Sequence, residues 1–387
     1  MRKNYRIITT LFISLCLLAG CAKNQEPTET TEESTEMSKN EAITSLEVNT
    51  TVRTIGQYPE NYVITFDEDI SNSDLKASDF SMSGNASYWG AKTTRPFSCE
   101  FQEISIQKNT LTLVPKDFPE KYFYVEDFHV TCSVDSYYNF SSIDVTSIIT
   151  PVADDFETLS NDNRMPFDYH LYTPSEETNM PIVVVFHGFG DTSNLLTYKT
   201  AVEWAEPENQ ALRPCYVLAP VIDDATYYSA SGRDKVFDDI KDILDQMITE
   251  NKVDPSRVYV MGNSFGGLST FEFCEKYPDT VAGALALCPA LTYSTHVASR
   301  FKDMTEVPIW ICHASGDNTI PVSASQNAVK KLEELSAKEV HYTEYSDEEM
   351  NSFGASSDPD ATYSYHHVEL AVMETDSYME WLFSKVK

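Results

Sequence analysis

The chain has 387 residues, of which 42% are hydrophobic and 12% aromatic, and its formal net charge at pH 7 is −32. This length exceeds that of one average domain, and the composition supplies enough apolar side chains for packed cores, so we expect two folded units. The strongly negative charge argues against nucleic acid or an anionic membrane surface as a partner.

The first twenty residues have the pattern of an export signal. Three basic residues at positions 2–6 precede an apolar run at 7–19, which is too short to span a bilayer permanently. The run leads into Leu-Ala-Gly-Cys21, which resembles the lipobox of bacterial lipoproteins. The resemblance implies that the signal peptide at 1–20 is removed and that Cys21 carries lipid, so the protein would be an exported cell-surface lipoprotein anchored to the bacterial membrane. An ordinary secretion signal with an incidental cysteine is the alternative.

The segment after Cys21 is rich in Thr, Glu and Ser and has almost nothing to bury. We therefore expect residues 21–44 to form a disordered, acidic and Thr-rich tether. Later cysteines show no C-x-x-C spacing, so a zinc site has little support. Cys99 and Cys132 could form a disulfide in an exported protein, and the sequence leaves this open.

Residues 45–153 contain short alternating segments without a helical period. Segments rich in β-branched and aromatic residues occur at 62–66, 104–106, 111–113 and 128–132, and a turn-forming Lys108-Asn109 separates the second from the third. This pattern predicts a small all-β sandwich. The stretches at 64–70 and 77–80 are similar to bacterial immunoglobulin-like domains, including those that precede the catalytic domain of some secreted esterases. The resemblance implies a spacer or assembly role, such as a homo-oligomer formed through this domain, while contact with carbohydrate stays open.

From residue 154 to 387 strand-like and helix-like segments alternate, which is typical of an α/β domain with a mostly parallel sheet. One buried strand runs into Gly262-Asn263-Ser264-Phe265-Gly266, and residues 268–276 read as a helix. A G-x-S-x-G motif between a strand and a helix indicates a nucleophile elbow, in which the glycines permit a sharp turn that presents the serine. Ser264 is therefore the candidate nucleophile.

A second glycine-containing loop follows the apolar strand at 181–186, with the sequence His187-Gly188-Phe189-Gly190. Together with the elbow it resembles the α/β-hydrolase superfamily of serine esterases, in which helices cover both faces of the sheet. The resemblance implies that the backbone N–H groups of Phe189 and Phe265 form an oxyanion hole and that His187 is structural. No metal or organic cofactor is implied.

The same resemblance supplies the other two catalytic residues. The loop from His313 to Pro321 is similar to the acid-bearing loop of this superfamily, which implies that Asp317 orients the base. The base is expected in the last loop, where His366 and His367 both qualify. The spacing to a closing Trp-Leu-Phe helix favours His366, with His367 as the alternative.

Two further segments are expected at the substrate cleft, and a third is expected to form a core helix. The loop at 222–229 follows a strand end, where such sheets bind ligands, so Tyr227 and Tyr228 are candidate substrate-binding residues. The polar segment 346–364 is expected to be a loop that overhangs the cleft. Residues 236–248 have helical periodicity and predict an amphipathic core helix.

These observations predict an extracytoplasmic, lipid-anchored serine hydrolase that cleaves carboxylic esters through Ser264, His366 and Asp317. Polysaccharide-linked acetyl or feruloyl esters are plausible substrates for a tethered exported enzyme. A peptidase resembling the prolyl oligopeptidases is one alternative, because it shares the elbow and the order of the triad. A catalytically silent surface binding protein is another.

Overall fold

The computed structural model describes residues 38–54, 56–86, 94–116, 118, 127–190, 196, 198–294, 297–358, 361 and 363–387. Residues Lys39–Lys387 form one compact unit that contains two β-sheets. The predicted signal peptide, Cys21 and the tether up to residue 37 lie outside the described residues. Within the described ranges, no helix has the length and apolar character needed to cross a membrane.

The first sheet has eight strands, in agreement with the all-β prediction for this part of the chain. They are β1 (Ile43–Val52), β2 (Gln57–Phe66), β3 (Phe80–Ala86), β4 (Arg95–Gln107), β5 (Thr110–Lys116), β6 (Asp127–Cys132), β7 (Phe140–Ser141) and β8 (Ser147–Ile149). Their order is β7-β6-β3-β4-β5-β2-β1-β8, and every pair is antiparallel except β1 with β8. The four strand segments predicted from sequence fall within β2, β4, β5 and β6. An immunoglobulin-like sandwich stays a prediction.

The tether prediction was wrong at its C-terminal end, because β1 already begins at Ile43. The Asn40 side chain donates to Tyr137 O and Asn139 O, which fastens the start of β1 to the end of this sheet. Alternating burial along the strands builds one aromatic core, in which the Tyr62 ring contacts those of Phe101 and Phe128. No disulfide joins the two buried cysteines of this core, Cys99 and Cys132.

The second sheet has eight strands in the order β16-β15-β14-β13-β11-β12-β10-β9. Their bounds are β9 (Glu157–Asn161), β10 (Phe167–Tyr172), β11 (Met180–Phe186), β12 (Tyr216–Val221), β13 (Val253–Asn263), β14 (Gly283–Leu287), β15 (Ile309–Ala314) and β16 (Val340–Tyr345). The sheet is mixed, since β10 runs antiparallel to both of its neighbours while β11 to β16 are parallel. Parallel strands align their C-terminal ends at one edge, where the loops after β11, β13, β15 and β16 meet.

Helices cover both faces of this sheet. They are α1 (Lys199–Val202), α2 (Pro207–Leu212), α3 (Asp224–Tyr228), α4 (Ala230–Thr249), α5 (Phe265–Lys276), α6 (Val297–Arg300), α7 (Ser323–Glu334), α8 (Asp347–Ser352), α9 (Glu369–Val372) and α10 (Asp376–Phe383). Val184 of β11 belongs to the core beneath α4, α5 and α7, whereas Val183 and Val185 belong to the core beneath α1, α9 and α10. Burial on both faces explains why β11 is a continuous apolar run.

Two helices differ from the sequence-based expectations. The amphipathic helix predicted for 236–248 begins earlier, at Ala230, because Ser229 caps it by accepting a hydrogen bond from Gly232 N. The segment 346–364 is not a continuous loop, since it contains α8. Ser346 and Glu349 form a capping box that starts this helix.

A buried carboxyl group on α5 leads to a prediction about stability. Glu275 is 3% exposed, neither of its carboxyl oxygens has a hydrogen-bond partner among the residues that the structure describes, and Arg300 Nε lies 3.9 Å away. Burial raises the pKa of Glu275 to about 9, despite the opposing charge of Arg300. The folded state therefore retains a proton that the unfolded chain releases near its ordinary pKa of 4.5, and stability is lost as the pH rises between these two values.

We expect Glu275→Gln to raise the free energy of unfolding at pH 8 by about 1 to 3 kcal/mol, with a much smaller gain at pH 4. Urea unfolding at both pH values measures this difference. Glu380→Gln, the same substitution at an exposed position of α10, is the matched control. Equal pH dependence in wild type and Glu275→Gln would show that Glu275 is ionised in the folded protein.

Candidate active site

Ser264 lies in the sharp turn between β13 and α5. Its backbone has φ 56° and ψ −116°, a conformation that a non-glycine residue rarely adopts. A Cβ atom at Gly266 would lie 2.1 Å from Phe186 O, and one at Gly262 would lie 2.6 Å from the Gly266 backbone. Only glycine fits at these two positions, which confirms the predicted strand–turn–helix elbow. Ser264 N–H donates to Leu287 O and ties the turn to the end of β14.

The loop after β11 forms the adjacent side of the site. Gly188 and Phe189 line the same cavity as Ser264 and Phe265, and the Phe189 and Phe265 rings are 5.3 Å apart. Phe265 is the first residue of α5, so its N–H has no acceptor within the helix. The two residues that carry the predicted oxyanion donors thus line the same cavity as Ser264. The positive end of the α5 dipole also lies at this point.

His187 is held in a single tautomer by backbone groups. Its Nδ1 lies 2.6 Å from Gly188 O and its Nε2 lies 3.1 Å from Ile222 N. Because an amide N–H can only donate, Nε2 must accept and the proton is on Nδ1. Because both ring nitrogens contact backbone groups of the loops, the ring is not oriented to act as a catalytic base.

Asp317 is a buried carboxylate that contacts two imidazoles. His366 Nδ1 lies 2.7 Å from Asp317 Oδ2, and His313 Nε2 lies 3.1 Å from the same oxygen. The N–H groups of Thr319 and Ile320 donate to Oδ1 at 2.8 and 2.9 Å. Burial alone would raise the pKa of Asp317, but the hydrogen bonds from His313 and His366 outweigh it and hold the pKa well below its usual range.

His366 connects Asp317 to the cavity that Ser264 lines. With Nδ1 bound to Asp317, the other ring nitrogen, Nε2, is the one that can act on a substrate. Burial by itself would lower the pKa of His366, but the hydrogen bond and the negative charge of the Asp317 carboxylate reverse this effect and raise the pKa well above its usual value. Within the described part of the chain, no hydrogen bond joins Ser264 and His366. Such catalytic contacts often tighten only when substrate binds.

His367, the alternative base, has a different partner. Its Nδ1 lies 3.1 Å from Glu369 Oε1. Both residues are buried and line the cavity. The structure therefore joins His366, and not His367, to Asp317.

The cavity has a volume of about 210 Å³ and walls that are mainly apolar. It is lined by Gly188, Phe189, Tyr198, Asn263, Ser264, Phe265, Tyr293, Thr319, Ile320, His366, His367 and Glu369. The prediction that Tyr227 contacts substrate was wrong, because Tyr227 is fully buried and its hydroxyl donates to His187 O. Tyr228 is exposed at the rim, where its ring lies 6.2 Å from Phe189 and 6.1 Å from Phe265.

Sequence reasoning missed two polar residues of the site. His313 was noted as part of a motif, but its contact with Asp317 was not predicted, although its position four residues before the acid was an available signal. Glu369 received no role. Its place three residues after His366 did not distinguish it from an ordinary helix-start carboxylate.

One group of side chains near the site could in principle hold a metal ion. Ligand atoms of Cys288, Asp317 and His366 lie within 4.8 Å of one another. However, burial raises the pKa of the Cys288 thiol, which disfavours the thiolate that a metal requires. The Cys288 thiol instead donates to His366 O at 3.2 Å. These three side chains therefore fit a loop that is held by hydrogen bonds to His366 better than they fit a metal site.

The chain has the α/β-hydrolase fold. Residues 172–356, just under half of the chain, match the model of the phospholipase/carboxylesterase family. The crystal structure of a thermostable esterase superimposes with a TM-score of 0.70 at 23% identity and covers 89% of this chain and 100% of that one.

Two curated relatives are similar over shorter stretches. Acylamino-acid-releasing enzyme 2 of Oryza sativa subsp. japonica is 26% identical over 167 residues, which is 42% of this chain and 21% of the relative. The bifunctional acetylxylan esterase/xylanase XynS20E of Neocallimastix patriciarum is 26% identical over 154 residues, which is 40% of this chain and 22% of the relative. This chain thus spans about a fifth of each relative. The fold and the family match are features that this chain shares with hydrolases of carboxylic esters.

Proposed function

We propose that this protein is an extracytoplasmic, lipid-anchored serine hydrolase that cleaves carboxylic esters through an acyl-enzyme. The observation that carries the proposal is the arrangement of three residues from distant loops. Ser264 on its strained turn lines the same cavity as His366, and His366 Nδ1 lies 2.7 Å from the Asp317 carboxylate. Export and the anchor at Cys21 rest on the sequence pattern alone.

In the first half of the reaction, His366 Nε2 takes the proton of the Ser264 hydroxyl as its oxygen attacks the carbonyl carbon of the ester. The carbonyl electron pair moves to oxygen, and the N–H groups of Phe189 and Phe265 stabilise the resulting oxyanion. The carbonyl then reforms as the bond to the alcohol breaks. His366 gives its proton to the leaving oxygen, and the acyl group stays on Ser264.

In the second half, water replaces the alcohol. His366 takes a proton from the water while the water oxygen attacks the carbonyl carbon of the acyl-enzyme. The carboxylic acid leaves when the proton returns to Ser264 Oγ. Asp317 keeps the His366 proton on Nδ1 and stabilises the imidazolium in both halves.

Acetyl or feruloyl groups on polysaccharides are the substrates we propose. The similarity to a relative named as an acetylxylan esterase supports the acetyl case. The rings of Phe189, Phe265 and Tyr293 in the cavity wall suit a planar aromatic acyl group as well.

A second candidate is a serine peptidase, which the similarity to an acylamino-acid-releasing enzyme favours. A parallel assay of a chromogenic acyl ester and a chromogenic proline amide distinguishes the two. We expect kcat/KM for the ester to exceed that for the amide by at least about a hundredfold, because the ester has the better leaving group and the proposed site is an esterase. Efficient amide cleavage with negligible ester turnover would reverse this ranking. No turnover of either substrate, together with no labelling by a fluorophosphonate, would favour a silent binding protein.

A further inference from the structure

The buried carboxylate of Asp317 has a second imidazole partner that the proposed reaction does not use. His313, near the C-terminal end of β15, is fully buried. Its Nε2 lies 3.1 Å from Asp317 Oδ2, the same oxygen that His366 Nδ1 contacts at 2.7 Å. Two rings therefore share one carboxylate oxygen, and of these two it is His366 that lines the cavity with Ser264.

The contacts of the His313 ring fix the position of its proton. Nε2 lies 3.1 Å from Ile320 O as well as from Asp317 Oδ2. Asp317 is ionised because its pKa lies well below the usual range, so neither oxygen can donate and Nε2 must carry the proton. Nδ1 lies 2.8 Å from the hydroxyl of Ser325 in α7, which can either donate or accept. The donation from Nε2 to Asp317 therefore holds whether or not Nδ1 is protonated.

Donors occupy all the acceptor positions of the Asp317 carboxylate. A carboxylate offers about four such positions, two on each oxygen. The N–H groups of Thr319 and Ile320 donate to Oδ1, and the rings of His313 and His366 contact Oδ2. A carboxylate that is stabilised by more donors is a weaker base, and hence a weaker partner for each of them. The hydrogen bond from His313 thus reduces the attraction of Asp317 for a positively charged His366.

This balance determines the pH at which His366 is neutral. His366 must be neutral to take the Ser264 proton, and the hydrogen bond and charge of Asp317 raise its pKa. Without the donor of His313, the carboxylate would favour the imidazolium still more. The enzyme would then require a higher pH before its base became available.

Other titratable groups near the two rings are bound elsewhere. The groups that face the rings are Asp317, Glu344 of β16 and Cys288 after β14, with His367 and Glu369 in the segment of His366. The carboxylate of Glu344 accepts hydrogen bonds from two other side chains. The Cys288 thiol donates to a backbone oxygen, and His367 contacts Glu369. Asp317 is therefore the carboxylate through which the two rings are coupled.

We propose that His313 is a positioning residue for the proposed triad. It donates its Nε2–H to Asp317 Oδ2, holds the carboxylate in the orientation that His366 requires, and limits the negative charge that acts on His366. The base is then neutral at a lower pH than it would be with Asp317 alone. Ser325 directs the His313 ring from α7. This inference rests on the proposed ester hydrolysis.

The test compares the pH dependence of kcat/KM for a chromogenic acyl ester in the full-length wild type, His313→Phe and His313→Gln. Phenylalanine keeps a ring but has no donor. We therefore expect the acid limb to move to higher pH by about 0.5 to 1 unit, which lowers kcat/KM at pH values below the limb by about three- to tenfold. The glutamine amide can donate from about the position of Nε2, so His313→Gln should restore the limb to near its wild-type position. Fluorophosphonate titration gives the fraction of reactive serine, so that rates are compared among folded molecules.

The direction of the shift separates this role from general damage to the fold. If the loss of His313 only loosened Asp317, His366 would lose its carboxylate partner and the acid limb would move to lower pH. A limb that stays in place or moves down in His313→Phe overturns the inference, and so does an equal shift in His313→Gln. His341→Phe is the matched control, because it removes an imidazole–carboxylate contact with Glu339 at the neighbouring strand. Its acid limb should coincide with that of the wild type.

A second measurement decides the question if His313→Phe does not fold. NMR of the histidine ring nitrogens in the wild type shows which nitrogen of His313 is protonated, and the signals are assigned by their loss in His313→Gln. We expect a protonated Nε2 on both sides of the acid limb. An Nε2 without a proton would overturn the inference.

Failure of the proposed function would give a different result. If the wild type neither cleaves the ester nor reacts with the fluorophosphonate, the proposed function is wrong and the inference falls with it. If the wild type does both and the acid limb of His313→Phe does not move, ester hydrolysis stands and the role of His313 alone is wrong.

Discussion

Replacing Ser264 by alanine is expected to lower kcat for an ester by a factor on the order of 10⁴ to 10⁶ and to abolish labelling by a fluorophosphonate. Without the hydroxyl no acyl-enzyme forms, and the remaining rate comes from the oxyanion donors and substrate binding alone. Alanine is no more strained than serine at φ 56°, so the elbow should keep its shape. Burst kinetics with a chromogenic ester measures the loss.

The matched control is Ser269→Ala, in the same helix. Ser269 is fully buried and its hydroxyl has no hydrogen-bond partner among the described residues. Its removal should leave kcat unchanged and should not lower the melting temperature, because alanine favours the helix and leaves no unsatisfied hydroxyl. Labelling that persists in Ser264→Ala would place the nucleophile elsewhere.

Replacing Asp317 by asparagine should have the next largest effect, a loss of about 10⁴ in kcat, as the same change produces in other Ser-His-Asp enzymes. An asparagine amide can donate to His366 Nδ1, which would move the imidazole proton to Nε2, where it blocks the base. The loss should appear in kcat more than in KM, since the ground-state contacts of substrate are elsewhere.

The pH dependence of kcat/KM tests whether Asp317 acts through His366. His366 must be neutral to accept a proton, and its pKa is raised, so kcat/KM of the wild type should fall with decreasing pH at a point well above 6.5. In Asp317→Asn the carboxylate no longer favours the imidazolium, so the residual activity should persist to lower pH. Asp279→Asn, at an exposed turn after α5, should keep the wild-type profile. An acid limb that stays in place in Asp317→Asn would argue against the contact between Asp317 and His366 in the active enzyme.

The sequence was sufficient to predict those features whose residues are adjacent in the chain. The elbow around Ser264 follows from a buried strand and two glycines that permit a close approach, and these features are adjacent in the chain. The strand predicted at 181–186 is β11, which begins at Met180, and its continuous apolar run is characteristic of a strand buried on both faces. The capping box at Ser346 and Glu349 was a readable local signal for α8 that the sequence analysis did not use.

The sequence was insufficient to predict the role of a side chain when that role depends on which loops come together in the fold. Tyr227 and Tyr228 were treated as equivalent residues of a loop, but they lie in α3, where successive side chains point about 100° apart. One is therefore fully buried, while the other is exposed at the rim. The buried contact between His367 and Glu369 could not be inferred, because it is defined only by the fold.

The carboxylate of Asp317 has a consequence for the temperature response of the enzyme. Its two oxygens are held by His313 and by the N–H groups of Thr319 and Ile320 before any substrate arrives. When positive charge appears on His366, these dipoles are already aligned, so little reorganisation energy is required. We therefore expect the entropy of activation for the acylation step to be small, with the barrier carried mainly by bond making and breaking.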